Sequence, residues 1–209
     1  MKKNKFLTVF VILTYIFLFA PLVIIAMTSI GTENYIAFPP KGFSMHWFMT
    51  VFKSQSFINS MGTSFFISMV ATLAALLIGM PAAYGLSRYN FKGKAAIKSF
   101  FFSPLIVPGI VVGFSLFQFL LVKLNLSVYM SLFIGHTLVI IPYIIRVVGS
   151  SLEGFDYSIE EAAMSLGCKK SQTFFKVVLP NITSGVMAAF MLAFINSFNN
   201  VPVSMFLTG

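Results

Sequence analysis

Charged side chains are scarce in this sequence. Lys, Arg, Asp and Glu account for 9% of the 209 residues, whereas 58% are hydrophobic. A soluble domain carries about 25% charged residues, so this composition excludes an ordinary soluble globular protein. Uncharged runs long enough to cross a bilayer recur along the chain. We therefore predict an integral membrane protein.

Groups that could build a catalytic centre are equally rare. Cys168 is the only cysteine, which excludes a disulfide or a Cys-based metal site within the chain. The two histidines, His46 and His136, lie on different predicted segments, so neither a His/Glu metal cluster nor a Ser–His pair shares a plausible site. An intramembrane enzyme is therefore disfavoured, and we expect no catalytic residue, no metal and no cofactor in this chain.

The long apolar runs predict the fold. A bilayer core about 30 Å thick needs roughly 20 apolar residues per helix. The first run, Phe6 to Ile30, follows a basic start as in a signal peptide, but it exceeds the roughly 7–15 apolar residues of such a signal. We expect an uncleaved first span. The sequence predicts an all-α polytopic helical bundle, a single membrane domain over 1–209, with spans at about 7–30, 60–84, 99–121, 127–148 and 183–206.

Asp, Glu, Lys and Arg are missing from the depth of every predicted span. A carrier driven by protons or ions often needs them there, so a stand-alone secondary transporter or channel is less favoured but stays open. The polar residues in the spans are neutral. Helix–helix hydrogen bonding is the alternative to a transport role for Asn199 and Asn200. We take four amides as candidates for a translocation pathway: Gln118, Asn196, Asn199 and Asn200.

The third, fourth and fifth predicted spans each contain proline: Pro104 and Pro108 in the third, Pro142 in the fourth and Pro202 in the fifth. A proline inside a spanning helix frees backbone groups that neighbouring helices or water must satisfy. Such a break suits a helix that lines a pathway or flexes, and it also suits a packing kink without function. The sequence leaves both interpretations open.

The basic residues indicate orientation. The net charge is +9. With the N-terminus in the cytoplasm, eleven Lys and Arg residues fall inside and three outside, which is the asymmetry that membrane insertion follows. The charge is therefore a topology signal, not a nucleic-acid-binding surface. The inside set is Lys2, Lys3, Lys5, Arg88, Lys92, Lys94, Lys98, Arg146, Lys169, Lys170 and Lys176; the outside set is Lys41, Lys53 and Lys123.

The segment between the fourth and fifth spans, 149–182, holds four of the five acidic residues. Ser158 followed by Glu161 fits a capping box, which predicts that a helix starts at Ser158. Gly167 stands where a left-handed residue would end that helix, and Ser171 can cap a second one. The first helix carries one apolar stripe: Ile159, Ala162, Ala163 and Leu166.

Two interpretations of this cytoplasmic helix–turn–helix follow from its pattern alone. Two short helices with small alanines on one face can present a knob to a groove on a partner protein. The same pattern is also typical of an amphipathic connector that lies on the membrane surface.

The spacing of this segment resembles a family motif. Glu161-Ala162-Ala163, a glycine four residues later and a Leu-Pro ending are similar to the EAA loop of ABC importer permeases, with Val177 where isoleucine is commonest. The resemblance implies a MetI-like permease fold in which the loop 153–180 is the coupling helix that sits in a cleft of the ATPase subunit. The residues it implies for this contact are Glu161, Ala162, Ala163, Gly167, Leu179 and Pro180.

Other stretches resemble the spermidine/putrescine branch of that family: Ser103–Pro108, Gly135–Thr137, Gly154–Asp156 and Ala193–Ser197. This resemblance implies a permease in the bacterial cytoplasmic membrane, surrounded by lipid. Its partners would be an ABC ATPase dimer, a second permease subunit in a heterodimer and an extracytoplasmic solute-binding protein. Family members normally have six spans, so we expect five here and the sixth to be missing.

The resemblance places ATP on a partner. Gly93-Lys94 is the only Gly-Lys pair, and it lacks the flanking residues of a phosphate-binding loop, so ATP and Mg would bind the separate ATPase subunit. The substrate is less well defined. Asn199 and Asn200 stand where carboxylates would suit a polyamine, which leaves aminoethylphosphonate, ferric iron, thiamine or opines as alternatives.

Overall fold

The computed structural model describes residues 5–208, so the predictions for Lys2 and Lys3 lie outside the described residues. Within 5–208 the regular structure is helical, and the only β-pairing is an isolated antiparallel bridge between Gly31 and Phe43. The all-α prediction is confirmed. The chain divides into two compact units, Met1–Met61 and Gly62–Gly209.

The first unit contains helix α1, Lys5–Ser29, helix α2, His46–Lys53, and the beginning of helix α3, Gln55–Arg88. Helix α1 is apolar along its whole length and has no buried side chain, as expected of a helix that faces lipid. Helix α2 is short and amphipathic. Its polar side chains are four or three residues apart and share one face, whereas its aromatic side chains lie on the other.

The second unit contains the remainder of α3 and eight further α-helices among the described residues. A 3-10 turn, Ser103–Leu105, follows α4, and two π-helical segments follow α5 and α8, at Phe117–Lys123 and Phe174–Val178. The eight helices are α4, Lys94–Phe102; α5, Gly109–Leu116; α6, Val128–Glu153; α7, Tyr157–Ser165; α8, Lys170–Thr173; α9, Leu179–Asn181; α10, Thr183–Phe198; and α11, Val201–Thr208.

Helix α6 is the centre of the second unit and contributes more buried residues than any other helix of the part of the chain that the structure describes. Small residues let its neighbours approach closely, which is how helices pack in lipid. A Cβ added to Gly79 of α3 would lie 2.8 Å from the Cγ2 atom of Ile144, and one added to Gly185 of α10 would overlap the side chain of Ser151. Both contacts position α6 between α3 and α10.

Among the described residues, three helices are long and apolar enough to cross a membrane: Lys5–Ser29, Gln55–Arg88 and Val128–Glu153. Two bent pairs bring this number to five if each pair is one span. The pair Lys94–Leu105 and Gly109–Lys123 is bent by 96°, and the pair Lys170–Asn181 and Thr183–Phe198 is bent by 77°. The third predicted span, 99–121, is therefore broken just after Leu105, between Pro104 and Pro108.

The other prolines have different outcomes. Pro142 lies inside the uninterrupted helix α6, so it marks no break. Pro202 is the second residue of α11, a position where its missing N–H costs nothing. The predicted span 183–206 is consequently not one helix, because α10 ends at Phe198 and α11 begins at Val201.

Candidate functional site

Helix α7 begins two residues earlier than the sequence predicted. Asp156, not Ser158, is the N-cap: its side chain accepts a hydrogen bond of 2.9 Å from the backbone N–H of Ser158. That hydrogen bond lowers the pKa of Asp156. Both residue types cap well, so pattern alone could not choose between two candidates so close together.

The end of α7 follows the prediction. Gly167 has a φ of +93°, which an L side chain rarely adopts, and its N–H donates to the carbonyl of Met164 at 3.0 Å. The next backbone N–H, of Cys168, donates to Ala163 at 3.2 Å. The left-handed glycine predicted here is confirmed, and it turns the chain sharply after α7.

The second helix starts one residue before the predicted cap, Ser171. Helix α8 begins at Lys170, and the side-chain oxygen of Gln172 accepts a hydrogen bond of 3.0 Å from the backbone N–H of Lys169. Thr173 and Val178 further along this stretch are fully buried. The second half of the loop is therefore anchored in the core of the second unit.

Glu160 connects α7 to the end of α3. Its side chain is almost completely buried, at 2% exposure, and its Oε1 atom accepts a 2.5 Å hydrogen bond from the Tyr84 hydroxyl. The Nε atom of Arg88 lies 3.3 Å from its Oε2 atom. The same guanidinium reaches the Oε1 atom of Glu161 at 2.8 Å. Arg88 thus holds two adjacent carboxylates, one buried and one exposed.

Tyr157 adds a second connection between these helices. Its hydroxyl donates to the Ser87 hydroxyl at 3.0 Å, and its ring lies 4.9 Å from the guanidinium carbon of Arg88. Burial raises the pKa of Tyr157. Phe174, beyond α8, packs edge-on against Tyr84 with ring centroids 5.2 Å apart. Both halves of the loop are therefore fixed to one turn of α3.

The contacts of Tyr84 and Arg88 with Tyr157 and Glu160 anchor α7 to α3, and none of these four residues was singled out from the sequence as part of a site. A signal was present in hindsight: Tyr84 and Arg88 are four residues apart and share a helix face, and Tyr157 and Glu160 are three apart. The two pairs are more than 70 residues apart in the chain. No local pattern indicates that they meet.

On and just after α7, the residues implied for the ATPase contact are all more exposed than Glu160. Glu161 has a side chain 62% exposed, Ala162 and Gly167 are exposed, and Ala163 is half-buried. Within 5–208 the apolar stripe of α7 has little cover, since Leu166 is 88% exposed. The stripe that predicted the helix is therefore an open face.

Leu179 and Pro180 lie apart from this face. They are the first two residues of α9, where Leu179 is half-buried and Pro180 is exposed. Helix α7 packs against the preceding π-helical segment, Phe174–Val178. The contact role of the six residues stays a prediction.

The four pathway candidates do not form one cluster. Asn196 donates to the carbonyl of Leu192 in its own helix at 2.8 Å, and Asn200 accepts from the backbone N–H of Val203 at 3.2 Å, which caps α11. Asn199 and Gln118 are exposed. In the part of the chain that the structure describes, no hydrogen bond joins the four side chains to one another.

His136 lies beside the break between α10 and α11. It is buried in α6, with Nδ1 2.9 Å from the Ser197 hydroxyl and Nε2 3.1 Å from the Ser204 hydroxyl. Ser197 is near the end of α10, and Ser204 is in α11. One imidazole therefore holds both sides of the break at Asn199 and Asn200. Across 5–208, no group of three His, Cys, Asp or Glu side chains could hold a metal ion.

Comparisons with known proteins agree with this architecture. Residues 75–209 match the family described as binding-protein-dependent transport system inner membrane component. The spermidine/putrescine transport system permease protein PotC of Haemophilus influenzae is 31% identical over 96% of this chain and 77% of its own length. PotC of Escherichia coli K12 is 30% identical over 93% of this chain and 74% of its own length.

Two further relatives extend the likeness. The putrescine transport system permease protein PotI of Escherichia coli K12 is 28% identical over 99% of this chain and 76% of its own length. A solved bacterial ABC transporter involved in the import of the acidic polysaccharide alginate has a chain with the same fold. Its TM-score is 0.71 at 20% identity, over 95% of this chain and 73% of that one. This chain therefore belongs to the inner membrane components of binding-protein-dependent transport systems, and it is an ABC importer permease of the polyamine branch.

Proposed function

We propose that this permease transmits ATP hydrolysis by a separate ATPase to the transport of a polyamine, spermidine or putrescine, and that it performs no catalysis itself. The observation that carries the proposal is the two-sided build of α7. One face is fixed to α3 through Glu160 and Arg88, and the opposite face presents Leu166 and Ala162 without cover in the described chain. A helix that is fixed on one side and open on the other can pass a movement of a partner protein to the membrane helices.

The outer face of α7 receives the ATPase in this proposal. Ala162 is small enough for a partner surface to approach the helix backbone, and Leu166 fills an apolar cleft. Glu161 lies at the edge of this face, where its carboxylate can accept hydrogen bonds from a basic partner group. Gly167 lets the chain turn directly after the contact.

The inner face of α7 passes the movement on. Arg88 connects it to α3, and the buried Val178 connects the second half of the loop to the core around α6. Beyond α9 the chain bends by 77° into α10. Closure of the ATPase would therefore tilt α10 together with the loop, and the break at Asn199 and Asn200 would change access to a central pathway.

The polyamine substrate is proposed from the relatives' names and from the neutral amides. An amide oxygen accepts hydrogen bonds from a protonated amine, as those of Asn196, Asn199 and Asn200 could, but it supplies no compensating charge. Weak and reversible contacts suit a pathway that must release its cargo. Selectivity then rests mainly with an extracytoplasmic solute-binding protein. Aminoethylphosphonate, ferric iron, thiamine and opines remain the alternatives to a polyamine.

The proposed assembly has this chain beside a second, different permease subunit in the bacterial cytoplasmic membrane, above an ATPase dimer that binds ATP and Mg. The eleven-to-three distribution of basic residues supports a cytoplasmic N-terminus and a cytoplasmic position for 153–180. In that orientation α7 and the ATPase are on the same side of the membrane.

Uptake of radiolabelled spermidine and putrescine by cells that express the whole transporter tests the proposal. Glu161→Lys and Gly167→Asp should each abolish uptake, while the chain still inserts in the membrane and the ATPase is still made. Lys92→Glu, a charge reversal on the exposed turn before α4, is the matched control and should transport normally. Normal uptake in both loop variants would remove the coupling role.

The substrate has its own outcome. If the whole transporter takes up labelled aminoethylphosphonate, ferric iron, thiamine or an opine but no polyamine, and Glu161→Lys abolishes that uptake, the coupling role stands and the polyamine assignment fails.

A further inference from the structure

A cavity of about 550 Å³ opens beside the coupling loop, inside the second unit. Its walls are the end of α3, the α4 helix with the 3-10 turn after it, and the last three turns of α6. These are the cytoplasmic ends of three membrane helices in the orientation proposed above. In that orientation the cavity lies on the cytoplasmic side of the membrane domain, where the inner lipid leaflet is within reach.

Two cations line this cavity. Lys98 comes from α4 and Arg146 from α6, and both are exposed. Among residues 5–208 neither takes part in an ion pair or a side-chain hydrogen bond, although Glu153 also lines the cavity. Two cations against one carboxylate leave a net positive wall. A cation such as a polyamine would be repelled there, whereas an anion would be attracted.

The rest of the wall has a polar and an apolar part. Ser87 and Ser150 add hydroxyl groups to the wall. Its apolar part includes Phe102, Leu105 and Ile106. Since Ile106 is 84% exposed, this apolar side is open toward its surroundings. A ligand that fits both parts has an anionic end and an apolar body.

We propose that this cavity binds the headgroup of an anionic phospholipid. Its phosphate lies between Lys98 and Arg146, accepts hydrogen bonds from the Ser87 and Ser150 hydroxyls, and its glycerol and first acyl carbons pack on Phe102. Basic pockets between membrane helices on the cytoplasmic side bind such headgroups. A soluble anion would fill the polar end only and would leave the apolar wall exposed to water.

The site is one side chain away from the coupling loop. Ser87 lines the cavity and also accepts the hydrogen bond from Tyr157 of α7. The next residue, Arg88, holds both carboxylates of α7. A bound headgroup would thus support the same turn of α3 that anchors the loop.

Native mass spectrometry of the purified transporter, with all its subunits, tests this site by counting phosphatidylglycerol and phosphatidylcholine adducts. We expect phosphatidylglycerol to bind more tightly than phosphatidylcholine. Lys98→Gln with Arg146→Gln should weaken phosphatidylglycerol binding about tenfold, since each cation near an anionic headgroup contributes to affinity. Lys92→Gln with Lys94→Gln removes the same charge from the neighbouring turn and should leave binding unchanged.

A charge-preserving pair, Lys98→Arg with Arg146→Lys, is the control for misfolding and should retain phosphatidylglycerol binding. Equal binding of the two lipids, or an equal loss in both charge-removing pairs, would overturn the proposal. So would displacement of phosphatidylglycerol by inorganic phosphate, because it would show a free-anion site. Absence of lipid from the assembled transporter, with Lys98 cross-linked to a partner subunit instead, would show that a protein surface covers the cavity.

Discussion

Two contacts in the second unit join helices that are distant in sequence, and they use different chemical groups. In the loop 153–180, Glu160 and Arg88 join α7 to α3 through ionised groups. At the break between α10 and α11, His136 joins three helices through hydroxyl groups that carry no charge. Both contacts tie elements that are far apart in sequence, and both hold a place where the helix path changes.

The difference matches the exposure of the two contacts: Arg88 is partly exposed, whereas His136 is buried. An ion pair next to water can keep part of its hydration, as Arg88 does, whereas a charged side chain at the centre of a bilayer is costly. Neutral hydrogen bonds avoid that cost, and they are weaker, averaging about 0.6 kcal/mol in membrane proteins.

The largest expected effect comes from Arg88→Ala. It leaves Glu160 buried without its cation, which costs about 3 kcal/mol in comparable sites. Hydrogen exchange of the amides in Tyr157–Ser165 should accelerate by about a hundredfold. Arg88→Lys keeps the charge but cannot hold two carboxylates in a fork, so its effect should be intermediate. Unchanged exchange in Arg88→Ala would show that the ion pair does not anchor α7.

A smaller effect is expected from His136→Ala. It removes the hydrogen bonds to Ser197 and Ser204 and should lower the free energy of unfolding by about 1–2 kcal/mol, measured by denaturant titration in detergent. Ser197→Ala and Ser204→Ala are the matched changes on the two sides of the break. In double-mutant cycles each should couple to His136. Strict additivity in both cycles would mean that the imidazole does not hold the break.

The smallest effect is expected from Glu161→Gln. This carboxylate is largely exposed, and surface ion pairs contribute about 0–1 kcal/mol. Hydrogen exchange in α7 should therefore change by less than about fivefold. Glu160→Gln, one residue away, should have the larger effect because its partner atoms are buried. Equal effects of the two changes would contradict the division of α7 into an anchored and an open face.

Much of this architecture could be predicted because it depends on local pattern. The apolar runs gave the membrane helices, and Gly167 gave the end of α7 because a left-handed turn favours glycine. The apolar stripe on α7 was recognised, although its periodicity could not show whether the chain itself covers that face.

The parts that could not be predicted depend on distant contacts or on competing local signals. Glu160 resembles any other acidic residue until Tyr84 and Arg88 are brought to it. The break at Asn199 could not be predicted from Pro202 alone, because a proline there is compatible with a kink or with a new helix start. The hydrogen bonds of His136 and Asn200 distinguish the two. Pro142 is also a proline inside a predicted span, yet it lies in an unbroken helix.

Site-directed cross-linking shows whether the open face of α7 contacts an ATPase in the cytoplasm. Leu166→Cys in a Cys168→Ser background places one thiol on the most exposed residue of that face. We expect a cross-link to the ATPase subunit, together with labelling by a membrane-impermeant maleimide in inside-out vesicles only. Labelling of intact cells from outside, with no cross-link to the ATPase, would contradict it.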